Sequence, residues 1–219
     1  MNDKAKDYLL RGAAEIGVQL SEKDLTQFSL LATELKKWGK KINLTAILDD
    51  PGIAVKHFLD SLTLLKFLEG GGRLLDIGSG AGFPAFPLKI VRGGLDVVTV
   101  DAVEKKVIFQ RNVARLLGLH NFEALHARGE ELSGKYPEGF DWIVSRAFSE
   151  ITSFVEIALP LVKKDGLILA MKGRGGEEEA RDAEPALSEM GVSVHDVVVF
   201  QLPIAGDARS IVIMRPRRS

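Results

Sequence analysis

The sequence predicts an α/β protein with a doubly wound, mostly parallel sheet of seven strands, an antiparallel hairpin at its C-terminal edge and a helical N-terminal extension. Three observations support this fold class. Short apolar runs alternate with helical stretches from Arg73 onward, which favours a parallel sheet with helices on both faces and right-handed crossovers. A glycine-rich turn joins the first apolar run to a helix. The last two apolar runs are close enough to pair as a hairpin.

The first 68 residues are predicted to be helical and to depend on the rest of the chain. Helices are expected over 3–17 and 21–41, and from a turn at 49–52 through Leu68. Ser21 and Asp24 are spaced much like a capping box. Apolar residues recur behind them at helical spacing, which indicates a buried face formed by Leu25, Phe28, Leu31, Leu35 and Trp38. This extension has too little core to be an independent domain, so we place the main domain at 69–219.

Strands and helices alternate through the main domain. Strands are expected over 73–77, 96–100, 121–125, 140–145, 166–171, 192–200 and 210–214. Helices are expected over 84–91, 103–118, 130–135, 150–163 and 177–189. The dipeptide Gly206-Asp207 separates the last two strands, which favours a turn between antiparallel partners.

Composition excludes several functional classes. The chain has 219 residues, 46% of them hydrophobic, and no apolar run long enough to span a bilayer. The segment MNDKAKDYLL lacks the basic-then-apolar order of a secretory signal, so we expect a cytoplasmic protein. The chain has no cysteine, which excludes disulfides and a cysteine nucleophile, and we expect no metal site.

The net charge of −1 argues against a generally basic nucleic-acid-binding protein, but the charges are unevenly placed. Basic residues cluster at Lys36, Lys37, Lys40 and Lys41, at Lys105, Lys106, Arg111 and Arg115, at Lys172 and Arg174, and at Arg215, Arg217 and Arg218. Much of the compensating acid lies within 177–184. A local basic face is therefore compatible with the total, although each cluster alone can be a solvated helix face.

The segment LLDIGSGAGFP at 74–84 is the most informative of the chain. Asp76 interrupts an apolar strand near its end, and Gly78, Gly80 and Gly82 follow at alternate positions. Glycine accepts positive φ and has no Cβ, so such a turn brings a nucleotide-like ligand against bare backbone. A dinucleotide fingerprint counted from Gly78 fails in its last position. The register D-x-G-x-G-x-G is instead similar to motif I of the class I S-adenosylmethionine methyltransferases, in which an acidic group can receive the ligand's ammonium.

Polar residues at the next two strand ends are candidates for holding such a cofactor. Ligands of open α/β sheets lie beyond the carboxyl ends of the strands. Asp101 ends the second strand and can accept both ribose hydroxyl protons, or alternatively cap the following helix. Gly129 lets the backbone approach the adenine ring. Glu130 can accept from its exocyclic amine, or can be an ordinary first-turn glutamate.

The fourth and fifth strands end with cations, Arg146 and Lys172, which we place at the methyl-acceptor side of the site unless they are ordinary surface residues. The motif of exocyclic-amine methyltransferases is missing here, as are a cysteine nucleophile and the Lys-Asp-Lys-Glu set of ribose methyltransferases. Nitrogen 7 of guanine fits by exclusion, because its lone pair lies in the ring plane and no proton must be removed. We therefore assign no general base, and catalysis would depend on positioning.

Over nearly its whole length the chain resembles the glucose-inhibited division protein B family of bacterial 16S rRNA guanosine 7-methyltransferases. The segments that carry the resemblance are NLTAI at 43–47, HFLDSL at 57–62, DIGSGAGFP at 76–84, the region around Asp101 with Lys105-Lys106, SRAF at 145–148 and KGR at 172–174. One departure is Ala85-Phe86, where the family has glycine and an aliphatic residue. The methyl group of alanine in place of glycine should leave slightly less space for a cofactor to approach the start of the helix.

The resemblance implies a class I methyltransferase fold, S-adenosylmethionine as cofactor and S-adenosylhomocysteine as its product. It implies cofactor contacts at Gly78, Phe83, Gly129, Glu130 and Arg146. The motif adds Asp76, Gly80 and Gly82, and the end of the second strand adds Asp101. It implies substrate-positioning roles for Arg128, Arg146 and Lys172, to which we add Asn43 at the start of NLTAI. We expect the protein to be a monomer. Its expected partner is 16S rRNA or the small ribosomal subunit. A small-molecule or protein methyltransferase and a non-catalytic, cofactor-binding assembly factor are the alternatives.

Overall fold

Seven strands form one mixed sheet in the computed structural model, which describes residues 1–146 and 148–217. The strands are β1 (Arg73–Ile77), β2 (Asp96–Asp101), β3 (Phe122–His126), β4 (Phe140–Ser145), β5 (Val162–Lys172), β6 (Val192–Gln201) and β7 (Ala208–Pro216). Their order is β3-β2-β1-β4-β5-β7-β6. The strand β7 lies between β5 and β6 and is antiparallel to both, whereas the other recorded pairings are parallel. The predicted parallel sheet and its antiparallel C-terminal hairpin are confirmed. Ala147 of SRAF and Arg218 of the last basic cluster lie outside the described residues.

Helices cover both faces of the sheet: α1 (Asp3–Glu15), α2 (Glu22–Gly39), α3 (Asp50–Gly52), α4 (Asp60–Leu62), α5 (Ala85–Val91), α6 (Glu104–Leu116), α7 (Ile151–Ala158) and α8 (Gly176–Glu189). The predicted capping box begins α2, where the Ser21 hydroxyl accepts from the Asp24 N–H at 3.2 Å and the Asp24 carboxylate accepts from the Ser21 N–H at 2.8 Å. Phe28, Leu31 and Leu35 on this helix are buried, as expected.

Three predicted elements differ from the structure. The expected single helix ending at Leu68 is irregular, with a π-helical stretch at Ile53–Leu59 and a 3-10 stretch at Thr63–Phe67 around α4. The expected helix 130–135 is a 3-10 turn, Gly129–Leu132. The expected helix 150–163 ends at Ala158, because Val162 already pairs with Phe140 of β4. The register of this strand pairing then shifts before Leu167. Sheet pairing here overrides the local helical pattern.

The hydrophobic core is divided by the sheet into two clusters. Successive side chains of a strand point to opposite faces. Leu74 accordingly packs with Leu9, Phe28 and Phe58 of the N-terminal helices, whereas Leu75 packs on the other face. The N-terminal helices therefore cover one face of the sheet, while the domain boundary at residue 68 stays a prediction. Within the described part of the chain, no helix is long and apolar enough to cross a membrane.

Candidate functional site

The glycine turn joins β1 to α5 at the carboxyl edge of the sheet. Gly78, Gly80 and Gly82 have φ values of 71°, 59° and 81°, in the region that L side chains rarely adopt. A Cβ on Gly82 would lie 2.3 Å from the Phe86 ring, so this glycine allows α5 to approach the turn. Nothing lies within 4 Å of a Cβ built on Gly80. The turn therefore presents bare backbone to open space at its centre.

Asp76 places a buried carboxylate beneath this turn. Its Oδ2 accepts the Ala85 N–H at 3.2 Å, whereas its buried Oδ1 has no hydrogen-bond partner among the described residues. Burial raises the pKa of Asp76 to about 7, although the Ala85 N–H and the Arg146 charge oppose the shift. An unpaired buried carboxylate oxygen is costly, and a cationic ligand group would satisfy it.

Asp101 lies beside the turn at the end of β2. Its Oδ2 accepts the Gly80 N–H and its Oδ1 accepts the Val103 N–H, both at 2.8 Å. Lys106 Nζ is 3.9 Å from Oδ2. The second bond ties Asp101 to the start of α6, as in the capping alternative. Each carboxylate oxygen can accept a further bond, so the ribose role of Asp101 stays a prediction.

Three adjoining cavities of about 330, 250 and 310 Å³ lie along this edge. Gly78 lines the first and second cavities, and His57 and Arg146 line the second and third. The linings also include Asp101, Arg128, Gly129 and Glu130 in the first cavity, Thr45, Phe83 and Lys106 in the second, and Asp60, Lys172 and Arg209 in the third. A Cβ on Gly129 would lie 2.6 Å from Ile157 Cγ2, which explains glycine at this position. The cavities form a continuous candidate site for a cofactor and a second ligand.

His57 is a site residue that was not predicted from the sequence. Its ring stacks on Phe83 at 4.6 Å, and its Nε2 is 2.9 Å from Thr45 Oγ1. Arg146 Nη2 is 3.4 Å from its Nδ1. Because a guanidinium only donates, Nδ1 accepts and Nε2–H donates to Thr45. Burial, together with the Arg146 charge, lowers the pKa of His57 to about 3. This histidine is therefore neutral, and its lone pair faces a cation.

Asp60 and Arg209 complete this polar cluster and were also missed. The buried Asp60 accepts from Arg209 Nε at 2.9 Å, and its Oδ2 is 3.5 Å from Arg146 Nη1. Arg146 also donates to the Lys56 carbonyl at 3.2 Å. The segment HFLDSL carried one usable signal, a histidine and an aspartate three residues apart in an otherwise apolar helix. The helical segment 50–67 is thus part of the site.

The predicted substrate-positioning residues have different surroundings. Lys172 lines the third cavity, but its ammonium group donates to the Phe148 and Ser149 carbonyls and to Glu179 Oε1, at 2.9, 3.1 and 2.7 Å. These bonds use all three of its protons, and its side chain is only 10% exposed. Arg128 and the predicted cofactor residue Glu130 are exposed and line the first cavity, whereas Asn43 is exposed next to Leu44, which lines the second. The predicted roles of these residues are not tested by the geometry.

A larger cavity, of about 810 Å³, lies at the opposite edge of the sheet. Its charged side chains include the ion pair of Lys163 with Asp141 at 2.8 Å. Ligands of open α/β sheets bind at the carboxyl edge, so this cavity is not the candidate site. Within residues 1–146 and 148–217, no group of three or more histidine, aspartate or glutamate side chains could hold a metal ion.

The chain is similar to known proteins over nearly its whole length. A family model described as rRNA small subunit methyltransferase G matches residues 24–211. A protein named ribosomal RNA small subunit methyltransferase G from Geotalea uraniireducens is 58% identical over 214 residues, which are 98% of each chain. Its namesake from Geobacter metallireducens is 55% identical, over 98% of this chain and 97% of its own. A methyltransferase from Thiobacillus denitrificans, solved in complex with S-adenosyl-L-homocysteine, shares the fold at a TM-score of 0.53 and 14% identity, over 72% of this chain and 91% of its own.

Proposed function

The chain belongs to the rRNA small subunit methyltransferase G family, and from this premise we propose that it transfers a methyl group from S-adenosylmethionine to nitrogen 7 of a guanosine in 16S ribosomal RNA. Family membership supports the methyl donor and the ribosomal RNA substrate. A ribosomal substrate implies that the protein works in the cytoplasm, while its monomeric state stays a prediction. The choice of nitrogen 7 is supported by the side chains around the acceptor.

The residues at the turn fit the cofactor. The unpartnered Asp76 Oδ1 would receive the ammonium group, and the open space at Gly80 leaves room for a ligand against the turn. Asp101 has acceptor capacity left for ribose hydroxyls, and the cavity over Gly129 and Glu130 would hold the adenine. When bound, S-adenosylmethionine supplies an electrophilic methyl group on a sulfonium.

The observation that carries the choice of acceptor atom is that, among the described residues lining the second and third cavities, no imidazole or carboxylate is free to act as a base. Among the described residues there, the only imidazole and the only carboxylate are those of His57 and Asp60. His57 Nδ1 faces Arg146, and its pKa of about 3 makes it a poor base. Asp60 is held by two arginines. An acceptor with its own in-plane lone pair, such as guanine nitrogen 7, requires no proton removal.

The residues of the chain would then act by binding and orientation. Arg146 lies between the second and third cavities and stacks over Phe83, with 5.6 Å between its guanidinium carbon and the ring centroid. An arginine fork can pair with a guanine edge or with a phosphate. Asp60 and His57 hold this fork in place, so the third cavity would receive the target base. Fixed geometry of this kind can supply much of the rate enhancement of a transfer reaction.

The test is product analysis. The purified protein is incubated with S-adenosylmethionine carrying a labelled methyl group and with either in-vitro-transcribed small-subunit rRNA or small subunits assembled on that transcript. The RNA is then digested to nucleosides and examined by mass spectrometry. We expect label in 7-methylguanosine. Label in another nucleoside overturns the nitrogen 7 assignment, and transfer only to protein or small molecules overturns the rRNA substrate. Cofactor binding without any transfer supports an assembly factor.

A further inference from the structure

Two of the basic clusters, about 65 residues apart in the sequence, are brought together by the packing of α2 against α6. Gln27, near the start of α2, donates to the carbonyl of Leu117 at the end of α6, at 2.9 Å. Trp38, near the end of α2, packs edge-on against Phe109 at 5.8 Å between ring centroids. These two contacts make the helices antiparallel. The end of α2 therefore lies beside the start of α6.

Lys40, Lys41 and Lys105 are three exposed cations at this end. Lys40 and Lys41 come directly after α2, and Lys105 is one turn before Phe109, on the side of α6 that faces α2. None of the three has an ion-pair partner among the described residues, and all are exposed. Glu104 is an exposed acidic neighbour, whereas Glu34 is buried and bonded to Lys37 and Trp38. We call Lys40, Lys41 and Lys105 the α2–α6 lysine surface.

This surface borders the second cavity of the site. The chain runs from Lys41 through the exposed Asn43 to Leu44 and Thr45, which line that cavity. Lys106, next to Lys105, lines the same cavity from the other side. Two chain segments thus carry positive charge up to the rim of the cavity. Lys172, by contrast, uses all its ammonium protons within the chain.

We propose that the α2–α6 lysine surface binds the phosphate backbone of the RNA strand that delivers the target base to the cavity. The proposal rests on the proposed function, and it assigns the RNA path to this side of the site. Exposed lysines without ion-pair partners can release the counterions that condense on nucleic-acid phosphates, which gives affinity without reading sequence. Lys172 has a different role in this arrangement, because it fastens residues 148 and 149 to α8.

The test compares two triple variants of equal charge. Lys40, Lys41 and Lys105 are replaced by glutamine in one, and Lys23, Lys135 and Lys164 in the other. The control lysines are also exposed and have no ion-pair partner in the described structure. They lie at the start of α2 and near the edge of the sheet opposite the site. Both variants change the net charge by the same amount, so a difference between them reports position.

Binding of in-vitro-transcribed small-subunit rRNA is measured by fluorescence anisotropy at several KCl concentrations, and S-adenosylhomocysteine binding by calorimetry. We expect the surface variant to lose at least tenfold in RNA affinity. Its plot of log affinity against log salt concentration should have a slope smaller in magnitude by about 2, since each single-strand phosphate contact contributes roughly 0.7. Cofactor affinity and the melting temperature should match those of the control variant, whose salt slope should equal that of the parent.

Each alternative outcome is informative. Equal losses in both variants indicate a net-charge effect and overturn the proposal, as does unchanged RNA binding in the surface variant. Weaker S-adenosylhomocysteine binding in the surface variant also overturns it, because these lysines would then belong to the cofactor site. Methyl transfer by the parent is scored separately. A parent that binds RNA through this surface but forms no 7-methylguanosine contradicts the proposed reaction and leaves the surface established.

Discussion

Lowering the pH from 8 to 6 should weaken cofactor binding about tenfold, because Asp76 must be ionised to receive an ammonium group. Burial raises the pKa of Asp76 to about 7 in the free protein. About nine-tenths of the molecules then carry the carboxylate at pH 8 and about one-tenth at pH 6. The apparent affinity scales with the fraction of protein in the competent state, which gives the factor of about ten. Calorimetric titration with S-adenosylhomocysteine across this pH range measures it.

The control for this prediction is Asp76→Asn, which keeps the shape of the side chain but cannot ionise. Any pH dependence that persists in this variant comes from groups other than Asp76, including the ligand's own amine, so the difference between parent and variant isolates Asp76. Parallel pH profiles in the two proteins would refute the reasoning, since Asp76 would then not titrate on binding.

The raised pKa of Asp76 also has a consequence for stability. The unfolded chain ionises this group near 3.8 and the folded chain near 7, so the folded state binds more protons between these values. The proton on Asp76 therefore contributes its full stabilisation to the cofactor-free protein below about pH 4. This contribution is lost as the pH rises through 7. Asp76→Asn should accordingly raise the melting temperature of the ligand-free protein at pH 8, while weakening its binding of the cofactor.

Four further substitutions test the site. Asp101→Ala should reduce cofactor affinity at least tenfold, because a hydrogen bond to a charged group contributes about 1.5–3 kcal/mol; unchanged affinity in calorimetry would make Asp101 only a helix cap. Gly82→Ala should destabilise the fold by about 2–5 kcal/mol, from positive φ and a clash. Gly80→Ala should cost only about 1–2 kcal/mol in denaturant unfolding, since its Cβ meets open space; equal costs would contradict the turn geometry. Asp60→Asn should lower kcat/KM for RNA at least tenfold and cofactor affinity by a smaller factor, because it releases Arg146, which lines both the second and the third cavity; an equal fall in both would place Asp60 in the cofactor site.

Local pattern was sufficient where short-range physics decides the structure. The glycine turn after β1 needed only the spacing of Asp76, Gly78, Gly80 and Gly82, because positive φ and a missing Cβ are properties of single residues. The pairing of β6 with β7 followed from two β-prone runs separated by a short turn. The length of β5 was underestimated, because the strand begins at Val162, which pairs with Phe140 of β4, and no local pattern reports such a pairing.

The ion pairs of the site depended on tertiary structure. Asp60 and Arg209 are 149 positions apart and meet only because β7 inserts next to β5 and the helical segment 50–67 packs on the same edge. The sequence indicated that Lys172 is a cation at the rim of the site. It did not show that Glu179 and two carbonyls would accept hydrogen bonds from all three of its ammonium protons. Whether a charged side chain is free or paired depends on its neighbours in space.

The sequence by itself determined the fold class, the turn that would hold the cofactor, the acidic residues at the ends of β1 and β2, and the family. These features follow from residue type and short spacing, which act before the chain is folded. Only the tertiary structure decided that His57 is neutral, that Arg146 is held by Asp60, and that the lysines after α2 lie beside those that begin α6. Burial and pairing of charge arise when distant segments exclude water together, so they appear only in the folded molecule.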